Sequence, residues 1–316
     1  MGSKITVIGA GSVGATIAYT LSQETYVSQL VLIDINKEKV DGEAMDIAQG
    51  TAFRDPISVI SGNYADAKDS DIVIITSGVP RKAGQSRIEL AQTNVNIIKS
   101  ISKEIVQAAP HAKYIIVANP VDIMTYAFLK VSGLPENQVF GSGTILDTAR
   151  LRYILSDKFN IAQKNIHAYV FGEHGDSSFI PWSCANISGV PFEQYTRAAS
   201  NIGKEFKDFT HEEMENYVHV SGGEIIKRKG ATFYGVAMSV VSLCAMVTSS
   251  SDSITTVTSM MHGEYGVTGL CTSTLTLVGP KGAQGKLEVE LSNEEIAKFQ
   301  DSSDRLRAVV RELDLK

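Results

Sequence analysis

Phe171-Gly172-Glu173-His174-Gly175-Asp176 places an imidazole between two glycines, just after the apolar run His167-Ala168-Tyr169-Val170-Phe171. Glycines permit a tight bend and close approach by a ligand. An imidazole held at such a bend can exchange a proton near neutral pH. A lone histidine is more often structural, so its company decides the reading. Asp147 and Arg150 stand three apart in a helix-compatible segment and therefore share a face. As a plain helix-surface pair they would only be a local ion pair. As site residues, Arg150 can grip a carboxylate with two parallel hydrogen bonds. Asp147 can accept the second ring N–H of His174, which fixes the tautomer and stabilises imidazolium. That pairing requires two distant segments to meet.

A second chemistry-bearing pattern stands at the start. Lys4 to Gly9 is a β-branched apolar run, followed at once by Gly9, Gly11 and Gly14 and then by a helical pattern from Ala15 to Gln23. In a strand–turn–helix unit the first glycine makes the turn, the second admits a pyrophosphate, and the third lets helix and strand pack closely. Backbone N–H groups at the helix start then face the phosphates. Asp34, 20 residues beyond Gly14, closes the next strand-like run, Leu30 to Ile35. A carboxylate there accepts hydrogen bonds from ribose hydroxyls and repels a 2′-phosphate, so NAD is expected rather than NADP.

The elements that must position these groups read as an α/β protein. Ile57–Ile60, Ile72–Ile75 and Tyr114–Ala118 are further short apolar runs, several separated by helical patterns. Right-handed crossovers and a parallel sheet covered on both faces follow. Between two of these runs lies a Gly-, Pro- and Lys-containing loop, 77–86, and Arg87 then opens a helix with Asn94, Ile98, Ile101 and Ile105 on one face, ending by Pro110. Past Gly141 the pattern changes. A helix is expected over 144–156, alternating segments around 167–190 with a strand at Phe179–Trp182, and charged helices over 197–229. An uncharged helix follows within 230–251, then strands at Leu270–Val278 and Lys286–Leu291, and a terminal amphipathic helix from Asn293 to Leu313. The expected fold is a Rossmann-type doubly wound parallel sheet (1–142) followed by a mixed α+β substrate domain (143–316).

Composition narrows the function. The 316 residues include 43% hydrophobic and 20% charged residues with a net charge of −6, a globular balance that implies no basic surface for nucleic acid. Cys184, Cys244 and Cys271 are odd in number and widely spaced, which fits a reducing compartment and excludes a four-cysteine metal site. Met1-Gly2-Ser3-Lys4 leaves no room for a signal peptide, and the uncharged helix is too rich in Ser, Thr and Gly for a membrane span. A cytoplasmic location is expected, with no membrane or metal partner.

Ile5–Gly14, Asn119-Pro120-Val121-Asp122, Gly141–Arg150 and Gly172–Asp176, in this order over about residues 4–314, resemble the lactate/malate dehydrogenase superfamily, its bacterial L-lactate branch most. The resemblance implies an NAD-dependent interconversion of L-lactate and pyruvate. It implies His174 as proton donor and acceptor, Asp147 as its orienting carboxylate, and Arg150 as the substrate-carboxylate clamp. Arg87 would polarise the reacting carbonyl when the 77–86 loop closes, Asn119 would bond near the same oxygen, and Thr232 would line the side-chain pocket. Gly9, Gly11, Val13, Gly14, Asp34, Lys39, Tyr64, Gly78, Val79, Val117 and Asn119 match cofactor contacts. A homotetramer is implied, and Arg152 and His167 match positions that bind fructose 1,6-bisphosphate between subunits.

The loop departs from the lactate pattern: Arg81 stands where lactate enzymes usually carry Gln, and Gln85 where they often carry Glu. Both changes make the loop more positive and suit the second carboxylate of oxaloacetate, the malate-enzyme substrate. Glu173 and Thr232 match the lactate pattern instead. Malate dehydrogenase is therefore the alternative within the family, and a non-catalytic NAD-binding protein or an NAD-dependent glycosidase the alternatives outside it.

Overall fold

The computed structural model describes residues 2–80, 84–204, 206–207 and 209–315, without the side chain of Glu193. The chain runs through β1 (Ser3–Ile8), α1 (Ser12–Leu21), β2 (Val27–Ile33), α2 (Lys37–Gly50), β3 (Ser58–Ser61), β4 (Ile72–Ile75), α3 (Arg87–Ala108), β5 (Lys113–Ile116), α4 (Val121–Ser132) and β6 (Val139–Gly141). It continues through α5 (Ile145–Phe159), β7 (Ile166–His167), β8 (Asn186–Ile187), β9 (Val190–Pro191), α6 (Phe192–Ser200), α7 (His211–Lys229) and α8 (Tyr234–Thr248). The last elements are β10 (Ser253–His262), β11 (Thr268–Gly279), β12 (Gly282–Lys286) and α9 (Asn293–Glu312).

One nine-stranded sheet has the order β12-β11-β10-β6-β5-β4-β1-β2-β3. From β3 to β6 all neighbours are parallel, while β10, β11 and β12 extend the sheet antiparallel from β6. Helices α3, α4 and α9 cover one face and α1, α2 and α8 the other, each over its own apolar core. Burial on both faces explains why β1 and β4 read as continuous apolar runs. A third core around Phe159 joins α5, α6 and α7 to the small antiparallel sheet β7-β8-β9. Strand order reverses between β1 and β4, so the crevice at the C-terminal ends of those strands is where a doubly wound sheet receives its ligand.

Three local expectations are corrected. Lys286–Leu291 is strand only at its first residue, because the pairing of β12 with β11 runs from Gly282 to Lys286. Among the described residues, strand character near His174 is confined to Ile166–His167 and two isolated bridges, Phe171 with Phe179 and Gly172 with Ser273, while Trp182 begins a short helical turn. The longest strand partner of the second half, β10, was not expected at all. Its sequence, SITTVTSMMH, is rich in hydroxyls, yet Thr256 and Thr258 are fully buried. Each of those two hydroxyls has a partner, Thr148 for Thr256 and Ser273 for Thr258 at 2.9 Å, so polarity on the page hides a core strand. Among the described residues no helix is long and apolar enough to cross a membrane.

Candidate active site

Three successive backbone N–H groups hold the histidine loop, each on a different element. Gly172 donates to the Ser273 carbonyl of β11 (3.0 Å), Glu173 to Ser302 Oγ of α9 (2.9 Å), and His174 to Asp122 Oδ2 of α4 (2.8 Å). Gly172 has φ +91°, and a Cβ there would lie 2.7 Å from Ser302 Oγ, so both backbone angle and close packing call for glycine. Asp122 is buried and also accepts the Thr258 hydroxyl. Burial pushes its carboxyl up to about 6, against the lowering pull of its hydrogen bonds from Thr258 and His174.

The imidazole so placed meets α5. His174 Nδ1 lies 2.5 Å from Asp147 Oδ2, while Arg150 Nη1 donates to Asp147 Oδ1 at 2.8 Å. One carboxylate thus bridges the histidine and the arginine. The nearby carboxylate, outweighing burial, pushes the His174 pKa up to about 9. Burial would raise Asp147, but His174 and Arg150 together hold its carboxyl below the usual range. With Nδ1 committed, Nε2 is the ring atom left to exchange a proton with a ligand.

The cleft beside the ring has a volume of about 530 Å³ and is walled by Arg87 and Leu90 of α3, Asn119, Pro120 and Ile123, the Glu173–Ser177 segment, and Arg305 and Val309 of α9. Arg87 Nη2 is paired with Asp176 at 3.0 Å, both largely exposed. Arg150 opens on its other side to a separate groove between α5, α7 and α8. Thr232, half-buried in the turn joining α7 and α8, does not line the cleft. Arg81 lies outside the described residues.

At the crevice the glycine turn has the space an anion needs. A Cβ on Gly11 would meet nothing within 4 Å, one on Gly9 (φ +102°) would lie 2.6 Å from Thr76 Oγ1, and one on Gly14 would lie 1.7 Å from the Gly9 carbonyl oxygen. Two glycines serve packing and the third leaves open space at the start of α1, where N–H groups converge. Asp34 directly follows β2, with its carboxylate accepting the Ala10 N–H (2.6 Å) and the Asn36 N–H (2.9 Å), which fixes it beside the turn. Its remaining lone pairs can accept ribose hydroxyls. Val13 and exposed Lys39 flank this region in the first turns of α1 and α2; Val117 lies just past β5. The residues present fit an NAD dinucleotide.

Asn94 of α3, expected only as a helix-face residue, clamps the neighbouring loops. Its Oδ1 accepts the Val79 N–H (2.8 Å), and its Nδ2 donates to the Asn119 carbonyl (2.8 Å) and to that of Val79 (3.2 Å). It also packs under Gly78. Tyr64 begins the short helical turn after β3 and, with Glu104, lines a cavity at the N-terminal ends of β1, β4 and β5. Arg152 reaches the segment that follows His167: its Nε donates to the Ala168 carbonyl (3.1 Å) and its guanidinium lies 4.9 Å from the centre of the Tyr169 ring, while His167 is exposed on β7. Asp122, Asn94, Ser302 and Arg305 were missed as site residues, since only the Asn-Pro-Val-Asp motif carried a signal, and only for Asp122.

Comparison with known proteins fits this geometry. The model of the lactate/malate dehydrogenase NAD binding domain matches residues 3–141, and that of the lactate/malate dehydrogenase alpha/beta C-terminal domain matches residues 144–314. An L-lactate dehydrogenase of Thermoanaerobacter sp. (strain X514) is 44% identical over 313 residues, 99% of this chain and 100% of that protein. The structure of a minor L-lactate dehydrogenase from Enterococcus mundtii superposes with a TM-score of 0.93 at 33% identity, covering 100% of this chain and 99% of the other. A malate dehydrogenase from Archaeoglobus fulgidus, solved in complex with NADH, gives a TM-score of 0.85 at 36% identity over 98% of this chain and 99% of its own. The chain belongs to the lactate/malate dehydrogenase family.

Proposed function

We propose that the chain is an NAD-dependent L-lactate dehydrogenase that interconverts L-lactate and pyruvate. The observation that carries the reading is the Asp147 carboxylate held between His174 Nδ1 and Arg150 Nη1, beside the crevice of a dinucleotide-binding sheet. When bound, the nicotinamide cofactor supplies or accepts the hydride. The chain's own residues bind the acid and manage the proton. Arg150 takes the substrate carboxylate, exchanging part of its bond to Asp147 for a two-pronged grip. His174 gives a proton from Nε2 to the pyruvate carbonyl oxygen as lactate forms, and takes it back in the other direction. Asp147 stabilises the imidazolium and keeps Nδ1 protonated. Arg87 leaves Asp176 to lie over the carbonyl when the 77–86 loop closes, and Asn119 bonds near the same oxygen. Thr232 lines the pocket for the substrate's side chain. Gly9, Gly11, Val13, Gly14, Asp34, Lys39, Tyr64, Gly78, Val79, Val117 and Asn119 hold the cofactor.

The same reading divides the chain at 142/143 into cofactor and substrate halves, although the sheet itself runs across that point. It makes the protein a cytoplasmic homotetramer, supported by three free cysteines and by exposed apolar side chains such as Met45, Phe53, Tyr153 and Met238. It also makes Arg152 and His167 contacts for fructose 1,6-bisphosphate. Sedimentation across protein concentrations, with and without that sugar phosphate, tests both assignments. Monomer under all conditions sinks them.

Arg81 favours a second reading, reduction of oxaloacetate to malate. kcat/KM for pyruvate and oxaloacetate, measured before and after Arg81→Gln, decides between them. Pyruvate is expected to be the better substrate, and Arg81→Gln to lower the oxaloacetate-to-pyruvate ratio. An unchanged ratio means that Arg81 does not read the substrate, and a ratio well above one in the unmodified protein favours malate.

A further inference from the structure

Ser302, Arg305 and Val309 stand at i, i+3 and i+7 of α9 and so share one face of that helix. Ser302 is fully buried and accepts the Glu173 N–H, which fixes α9 in register with the histidine loop. That register carries Arg305 and Val309 into the wall of the cleft, opposite Arg87. Among the described residues, Arg305 is the one basic side chain of α9 that lines it; Arg307 turns to Asp304 and to the Thr268 carbonyl. Exposure separates rim from depth. The Arg87 and Arg305 side chains are 74% and 62% exposed, whereas that of His174 is 28% exposed. Each rim arginine is steadied by an acid, Arg87 by Asp176 and Arg305 by Asp301, whose Oδ2 accepts Nε and Nη2 at 2.9 Å. The guanidinium of Arg305 is therefore oriented rather than free, and its Nη1 edge is left for another anion.

We propose that Arg305 is a capture residue: a fixed cation at the rim of the cleft that draws anionic 2-oxo acids towards His174 and weights the enzyme towards those with two negative charges. The inference rests on the dehydrogenase reading above and adds to it a residue that acts on arrival of the substrate, before the chemical step. A rim charge acts through the association rate and is screened by salt. Its effect should also grow with the charge of the ligand, because the interaction energy is proportional to it.

Steady-state kinetics of Arg305→Gln, Arg305→Glu and Asp301→Asn with pyruvate and oxaloacetate test this at about 0.01 M and about 1 M salt, where the screening length is about 30 Å and about 3 Å. At low salt, kcat/KM for pyruvate is expected to fall roughly 3-fold in Arg305→Gln and roughly 10-fold in Arg305→Glu, through KM rather than kcat. For oxaloacetate each factor should be about squared, and at high salt all should shrink below about 2-fold. Asp301→Asn, which unmasks the arginine, should raise kcat/KM. Unchanged low-salt values in both Arg305 variants overturn the proposal. So does a loss that falls on kcat and persists at high salt, which would make Arg305 a structural residue. An unmodified protein that reduces no 2-oxo acid instead overturns the dehydrogenase reading, and with it the ground on which this inference stands.

Discussion

At the scale of single residues, Asp147 does two tasks with two oxygens, and removing its charge separates them. In Asp147→Asn the imidazole loses the carboxylate that raises it to about 9, and burial then pulls its pKa down. The midpoint of the pH profile should move below neutrality, and kcat/KM should fall by about 10²–10⁴-fold at neutral pH. Pyruvate reduction needs the imidazolium, so kcat/KM for pyruvate falls as His174 loses its proton, which for an unperturbed imidazole happens at about pH 6.5. The 2.5 Å contact with Asp147 moves that fall upward. Arg150→Lys is a second residue-scale test. A point charge cannot reproduce the two-pronged grip, so KM for pyruvate should rise by roughly 10- to 100-fold. Calorimetric NADH affinity should be unchanged, since Arg150 faces α7 rather than the crevice. A matching loss of NADH affinity would place Arg150 elsewhere in the mechanism.

At the scale of elements, the glycine turn and the histidine loop make opposite demands on space. Gly11→Val should fill the open ground before α1 and weaken NADH binding by about 1–3 kcal/mol, roughly 10- to 100-fold in Kd, with little change in melting temperature. Gly14→Ala should destabilise the fold itself, because its Cβ would collide with the Gly9 carbonyl. If both variants lost stability alike, the division of labour among these glycines would be wrong. Asp122 is the corresponding test of the loop. Asp122→Ala leaves the His174 N–H without its acceptor, at about 1–3 kcal/mol for the orphaned group, while the Thr258 hydroxyl keeps Ser273 as a partner. The carboxyl has a folded pKa of about 6, above its ordinary value of 3.8, so its favourable contribution is present below about 4 and lost as pH rises through 6. The stability difference between the unmodified protein and Asp122→Asn should therefore decline across that window in denaturant titrations. A constant difference would show that the carboxyl does not titrate there.

At the scale of the whole molecule, the sequence made the parallel half plain and the antiparallel half obscure, for one physical reason. Strands β1 and β4 are buried on both faces and spell this out in Ile and Val. Strand β10 is as buried but built of threonine and serine, and the hydroxyls of Thr256 and Thr258 are answered by Thr148 and Ser273 on other elements, so composition alone could not show it. The 287–291 stretch errs in the other sense: Leu-Glu-Val-Glu-Leu alternates like a strand, yet past Leu287, whose N–H still reaches the Leu275 carbonyl, Val289 and Leu291 pack against a core outside any strand. His174, Asp147, Arg150 and the glycine turn were legible because their chemistry is written in residue types at fixed spacings. Asp122, Asn94, Ser302 and Arg305 were not, because each acquires its task from where another element lands.

The pH dependence of kcat/KM for pyruvate, followed by the loss of NADH absorbance in the unmodified protein and in Asp147→Asn, reaches the braced imidazole most directly. A plateau through neutral pH that falls as pH passes about 9, shifted below neutrality by the substitution, is the expected result. No NADH oxidation with any 2-oxo acid, or a profile that Asp147→Asn leaves in place, would contradict it.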